Sequence, residues 1–122
     1  MESLSPNFFV KDIQSTIDFY KQIGFTLAMT VPETGAYDWA MMTCGNVSVM
    51  FQTFDSLGEQ LPEISRQNGA ALLFYIKLKD FSAFFDKVKE KVPILKEPEK
   101  TFYGATEFTI MDNNGYLLTF AD

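Results

Sequence analysis

The sequence predicts an α+β fold made of two βαβββ modules in tandem, and two observations carry that reading. One pattern occurs twice at a constant offset: Val10-Lys11-Asp12-Ile13 opens a helix-like stretch that runs to Gly24, and Leu78-Lys79-Asp80-Phe81 opens another that runs to Val92. Ile13, Ile17 and Tyr20 in the first become Phe81, Phe85 and Val88 in the second, and Asp18 and Lys21 become Asp86 and Lys89. Each copy also begins with an apolar run and is followed by strand-like segments. A 122-residue chain is expected to form one domain. Its modules span residues 1–53 and 69–122, with a linker over 54–68. Matched modules share a cleft in the simplest arrangement, so function is sought there.

The elements follow in order. Asn7-Phe8-Phe9-Val10 is β-prone and follows Pro6, giving a strand over 6–11. Asp12 suits the N-cap of a helix over 13–23, and Gly24 stands where a C′ glycine ends one. Phe25 to Val31 reads as a strand, and Pro32-Glu33-Thr34-Gly35 as turn chemistry. Tyr37–Thr43 and Asn46–Thr53 read as strands joined by a two-residue turn at Cys44-Gly45. Residues 54–68 form the linker, with a short helical turn. Ala70–Leu78 is the next strand, Asp80 caps a helix to about Val92, and a strand starts at Pro93-Ile94-Leu95. Lys96–Tyr103 reads as a polar connection, Gly104–Met111 as a strand, Asp112-Asn113-Asn114-Gly115 as a turn and Tyr116–Ala121 as the last strand.

Composition narrows the function. Hydrophobic residues make up 47% of the chain and 13 residues are Phe, ample material for a core. No apolar run is long enough to span a bilayer, and the opening Met1-Glu2-Ser3-Leu4-Ser5-Pro6 lacks a signal peptide's basic and apolar regions. A cytoplasmic location is expected, in keeping with the single Cys44. The net charge of −6 disfavours nucleic acid and anionic membranes as partners. Lys87-Val88-Lys89-Glu90-Lys91 reads as a solvated helix face. There is no histidine. A Ser-His-Asp triad and a His-carboxylate iron site are therefore excluded, whereas a carboxylate Mg²⁺ or Ca²⁺ site stays allowed.

Strand parity sorts side chains onto two faces. Phe8, Val10, Val47, Val49, Phe51, Phe74, Ile76, Leu78, Leu118 and Phe120 make one face almost wholly apolar, and it is expected to pack on the helices. Asn7, Phe9, Ser48, Met50, Gln52, Tyr75, Lys77, Leu117 and Thr119 make the other, a mixture suited to a ligand. With the turn at Cys44-Gly45, Met41 pairs Ser48, Trp39 pairs Met50 and Tyr37 pairs Gln52, so the single Trp lies on the mixed face.

The doubled unit, with Val10-Lys11-Asp12, Phe19-Tyr20, Gly24-Phe25 and Asp112-x-x-Gly115, resembles the glyoxalase / bleomycin-resistance / extradiol dioxygenase superfamily, also called vicinal oxygen chelate. Ser5-Pro6-Asn7, Ser15-Thr16, Phe19-Tyr20, Trp39 and Gly45-Asn46 look most like the bleomycin-resistance branch. The resemblance implies an open, barrel-like mixed sheet with a cleft, helices on the outer face, and a homodimer. Enzymes of the superfamily hold a metal with four side chains. Counting seven residues back from Asp12 and Asp80 places two seats at Ser5 and Leu73, and the last strand of each module places the others at Met50 and Thr119. An alkyl chain, a thioether and two hydroxyls make a poor hard-metal site. No metal and no cofactor are therefore expected, and enzyme chemistry is disfavoured.

The resulting expectation is a metal-free protein that holds an aromatic or cationic organic ligand in an aromatic and Met-lined cleft. Tyr37, Trp39, Tyr75, Phe102, Tyr103 and Phe108 are candidate walls, joined by Met41, Ser48, Met50, Gln52, Lys77 and Thr119. Two alternatives stay open: an isomerase or lyase working without the inherited metal, through Lys77 or a carboxylate, and an interaction module whose cleft is filled by its own side chains. Glu107 and Asp112 are the carboxylates nearest the last hairpin, and Asp112 reads as a turn former.

Overall fold

A computed structural model describes residues 1–122. The chain divides into two compact units, Met1–Gln67 and Asn68–Asp122. The first contains β1 (Asn7–Val10), α1 (Ile13–Gln22), β2 (Thr26–Val31), β3 (Trp39–Cys44), β4 (Val47–Thr53) and the short α2 (Phe54–Leu57). Its strands form a mixed sheet in the order β1-β4-β3-β2, with β1 parallel to β4. The second contains β5 (Leu73–Lys77), α3 (Phe81–Val88), β6 (Lys96–Lys100), β7 (Thr106–Met111) and β8 (Leu117–Ala121). Its order, β5-β8-β7-β6 with β5 parallel to β8, repeats the first, and neither sheet closes into a barrel. No helix is long and apolar enough to cross a membrane.

The duplicated helix openings are duplicated caps. Asp12 accepts a hydrogen bond from the Ser15 amide at 3.0 Å, and Asp80 accepts one from the Ala83 amide at 3.1 Å. The far end of α1 is a Schellman turn. Gly24 takes φ +102°, its amide bonds Lys21 O, and the Phe25 amide bonds Tyr20 O. The hydrophobic contact that accompanies such a turn is the Phe25–Tyr20 ring pair, 5.5 Å between centroids. Tyr20 is fully buried and also meets Phe8 and Phe51 at 6.1 and 4.7 Å. With Ile13, Ile17, Val10, Ala40, Met42 and Val49 these residues form the core between α1 and its sheet.

In the second unit the same role falls to phenylalanine. Phe108 and Phe120 stack at 5.1 Å, and Phe81, Phe84 and Phe85 of α3 close over them. Phe108 is 1% exposed and pairs with Phe120 across β7 and β8. That corrects its assignment as a ligand wall: odd and even positions of β7 face opposite ways, and Phe108 falls on the helix side.

The first hairpin turns one residue later than expected, at Gly45-Asn46. Gly45 has φ +56° and Asn46 does not share a positive φ, the pattern of a type II′ turn with glycine first. Cys44 consequently pairs Val47, Met41 pairs Met50 and Trp39 pairs Gln52. The expected pairs are each displaced by two residues, an even step that keeps every side chain on its expected face.

The larger difference is β6. The strand expected to start at Pro93 lies instead at Lys96–Lys100, in the segment read as a connection. All five of its residues are exposed and it pairs only β7, with an irregularity between Lys96 and Glu99. An edge strand needs no apolar face, and charge and proline protect it from further pairing. Residues 54–68 likewise hold more structure than a linker. Thr53 caps α2 by accepting from the Ser56 amide, and Leu57 is buried. Arg66, the only arginine, donates to the carbonyls of Gly58, Gln60, Leu61 and Ile64 at 2.6–3.0 Å.

Candidate functional site

The face of each sheet turned away from its helix carries the candidate residues. In the first unit, three-strand rows follow from the register: Asn7, Met50 and Met41 in one, and Phe9, Gln52 and Trp39 in the next. Ser48 continues the face opposite Thr43. All of these side chains are intermediate in exposure, in contrast with the fully buried Phe51, Ala40 and Met42 behind them. The Asn7 amide donates to Gln52 Oε1 at 3.0 Å, while Asn7 Oδ1 is buried with no hydrogen-bond partner in the chain. An unpaired buried acceptor costs about 1–3 kcal/mol, which a donor brought by a ligand would recover. Tyr37 is placed differently. It lines an open hollow of about 680 Å³ along β2 with Leu27, Met29, Val31, Pro32 and Glu33.

In the second unit Tyr75 and Thr119 are register partners, and Thr119 Oγ1 lies 2.8 Å from Thr109 Oγ1 in a buried hydroxyl pair. Lys77 is exposed at the end of β5, opposite Ala121, and forms no ion pair. Tyr75 meets a residue outside the expected ligand-binding set. Its hydroxyl donates to Glu107 Oε1 at 2.7 Å, and the Tyr103 hydroxyl donates to the same oxygen. Tyr103 sits in the turn Thr101–Ala105, closed by Thr101 N to Ala105 O and Gly104 N to Thr101 O. Parity along β7 could have exposed Glu107, since it lies two positions from Thr109 on the face of Thr119.

Hydrogen bonds from Tyr103 and then Tyr75 hold the Glu107 carboxyl below the usual carboxylate range, and nearby Lys96 adds to the effect. The bond to the Glu107 carboxylate pushes both tyrosines above the ordinary phenol value. Two pH limits follow. Glu107 is depressed in the fold, so its contribution is present above the unfolded value of about 4.3 and is lost as pH falls through the folded one. The tyrosines are raised, so theirs is present below about 10 and is lost as pH rises through their folded values. Residue-resolved ¹³Cζ NMR should show Tyr75 and Tyr103 titrating above the ordinary phenol value of about 10, and Glu107→Gln should move both downward. Unchanged titration in that variant would mean the three side chains are not joined in solution.

The four positions expected as metal seats from the resemblance offer little to a metal. Ser5 and Leu73 are exposed, Met50 is half-buried, and Thr119 is committed to Thr109. No three His, Cys, Asp or Glu side chains converge anywhere in the chain. These donors do not fit a divalent metal.

No curated protein matches the chain in sequence. Among solved structures, TioX from Micromonospora sp. ML1 aligns over 99% of this chain and 98% of its own, with TM-score 0.80 and 18% identity. The bleomycin resistance determinant encoded on transposon Tn5 aligns over 100% and 98%, with TM-score 0.72 and 22% identity. A bleomycin-binding protein solved in complex with bleomycin covers the same shares, with TM-score 0.71 and 22% identity. Identities this low establish the fold. The family rests on a sequence model of the Glyoxalase/Bleomycin resistance protein/Dioxygenase superfamily that matches residues 4–120. With that match spanning nearly all of both units and their repeated βαβββ topology, this chain belongs to the Glyoxalase/Bleomycin resistance protein/Dioxygenase superfamily.

Proposed function

We propose that this protein is a metal-free small-molecule binding protein of its superfamily, holding an aromatic or cationic organic ligand against open, aromatic and Met-lined sheet faces. The observation that carries the reading is the first sheet's outer face. There Trp39, Met41, Met50 and Gln52 stand side by side, half-exposed, at positions where core residues would be covered. Flat rings and thioethers accept planar ligands without demanding one shape. The overall charge of −6 favours cations, and two solved structures of the same fold are named for bleomycin resistance and bleomycin binding. A cytoplasmic homodimer completes the proposal. Support for association comes from edge strand β2, where Met29 and Val31 are 56% and 53% exposed.

Trp39 is the only tryptophan, so its fluorescence reports on this face. A panel of planar aromatic cations and neutral aromatics should give saturable quenching for at least one compound. Met50→Ala should weaken that binding about tenfold, the equivalent of about 1.4 kcal/mol. Absence of quenching across the panel would sink the reading. Sedimentation of the same samples over a range of concentrations checks the dimer, and a monomer throughout would remove it.

A further inference from the structure

The turn Thr101–Ala105 carries Phe102, which is 100% exposed and is the most solvent-exposed aromatic of the chain. It meets Tyr103 edge-on at 5.0 Å. Tyr103 in turn is tied to Glu107, and Glu107 to Tyr75, a residue that is 49% exposed. Two accessible phenol rings from separate segments thus meet at one carboxylate, and the Phe102 ring lies against the second of them. Both phenols bond Oε1, which leaves Oε2 with no hydrogen bond inside the chain. The ordinary neutralising partner is also missing, since Lys96 and Lys77 lie near this face without forming an ion pair to Glu107.

We propose that Tyr75, Phe102, Tyr103 and Glu107 form a recognition site for an alkylated ammonium group, with the rings packing on its N-alkyl substituents and Glu107 Oε2 facing its charge. Rings present a negative face to a cation, and an alkylated ammonium, poorly hydrated and with few or no N–H donors, gains more from such faces than from water. A metal ion that gave up its waters here would find too few oxygen ligands to replace them, because the site offers one carboxylate and two neutral phenols. Tyr75 and Tyr103 serve two purposes. Their hydroxyls fix the carboxylate and keep it ionised, and their rings supply cage walls. The turn Thr101–Ala105, pinned by Thr101 Oγ1 accepting from the Ala105 amide at 3.1 Å, holds Phe102 and Tyr103 in position. The site deepens the small-molecule reading by naming a chemical class for part of the ligand, and it rests on that reading.

Choline and its uncharged isostere 3,3-dimethylbutan-1-ol separate charge from shape. In NMR titrations of the intact protein, choline should shift the aromatic resonances of Tyr75, Phe102 and Tyr103 with millimolar affinity. The isostere should bind at least fivefold more weakly. Glu107→Gln, which keeps an acceptor for both phenols and removes the charge, should reduce choline affinity by fivefold or more while leaving the remaining spectrum unchanged. Phe102→Ala, at a fully exposed position with no fold to disturb, should weaken choline by about threefold. Equal binding of choline and the isostere, full affinity in Glu107→Gln, or shifts confined to residues elsewhere would each overturn the proposal. Quenching of Trp39 by a neutral aromatic in a protein that ignores choline would leave the general binding function standing and remove this site alone.

Discussion

Replacing Phe108 with alanine lowers the unfolding free energy by about 3–5 kcal/mol, the range for deleting a buried aromatic. The ring is 1% exposed and sits within 4.9–6.2 Å, centroid to centroid, of Phe81, Phe84, Phe85 and Phe120. Its removal leaves a void bounded by four other rings, none of which can move inward without abandoning its own contacts with the sheet or with α3. A domain with about 5–15 kcal/mol of total stability loses a large part of it. Urea unfolding followed by circular dichroism measures the change. Ligand binding per folded molecule stays at the wild-type level, since the ring faces away from Tyr75 and Glu107. A loss below about 1 kcal/mol, or a binding defect without a stability defect, would return Phe108 to the ligand-facing side.

That substitution also marks how far the sequence could be read. The repeat at Asp12 and Asp80 was legible because capping chemistry is local: a carboxylate at each N-cap, and in the first copy a glycine three turns on, need no tertiary information. Parity was equally local, and it sorted Phe8, Val10, Val49 and Phe51 to the helix side and Trp39, Met50 and Gln52 to the other. The hairpin register slipped because Cys44-Gly45 and Gly45-Asn46 are both plausible turns, and only the backbone geometry at Gly45 chooses between them. β6 escaped because Lys96-Glu97-Pro98-Glu99-Lys100 has no apolar period at all. An exposed edge strand is defined by its neighbour's hydrogen bonds and not by its own side chains. The Tyr75–Glu107–Tyr103 cluster was illegible for a related reason. Its members are separated by up to 32 positions, and only the pairing of β5, β8 and β7 and the turn at Thr101–Ala105 brings them together.

Asp112 distinguishes a structural carboxylate from a chemical one, and Asp112→Ala should destabilise the second unit by about 2–4 kcal/mol. The side chain is 5% exposed, and its Oδ1 accepts from the amides of Asn114 at 2.8 Å and Tyr116 at 2.9 Å. Its own amide bonds Tyr116 O at 2.8 Å, so one residue closes the β7–β8 hairpin from three directions. Truncation strands two buried backbone donors at about 1–3 kcal/mol each, partly offset by local rearrangement. Rearrangement is restricted here. Gly115 holds φ +86°, and its carbonyl packs so closely on Gly69 that a Cβ there would lie 2.8 Å from the oxygen. Asp112→Asn keeps an oxygen acceptor at the same place and should recover most of the loss. Thermal and urea unfolding of the two variants give the comparison. An equally large defect in both variants would mean that the charge of Asp112, and not its acceptor geometry, is what the protein uses, and would reopen the hairpin as a candidate for acid–base chemistry. The expected order, Ala far below Asn and Asn close to wild type, assigns Asp112 to the turn and leaves Glu107 as the carboxylate that two phenols hold on the open face of this unit.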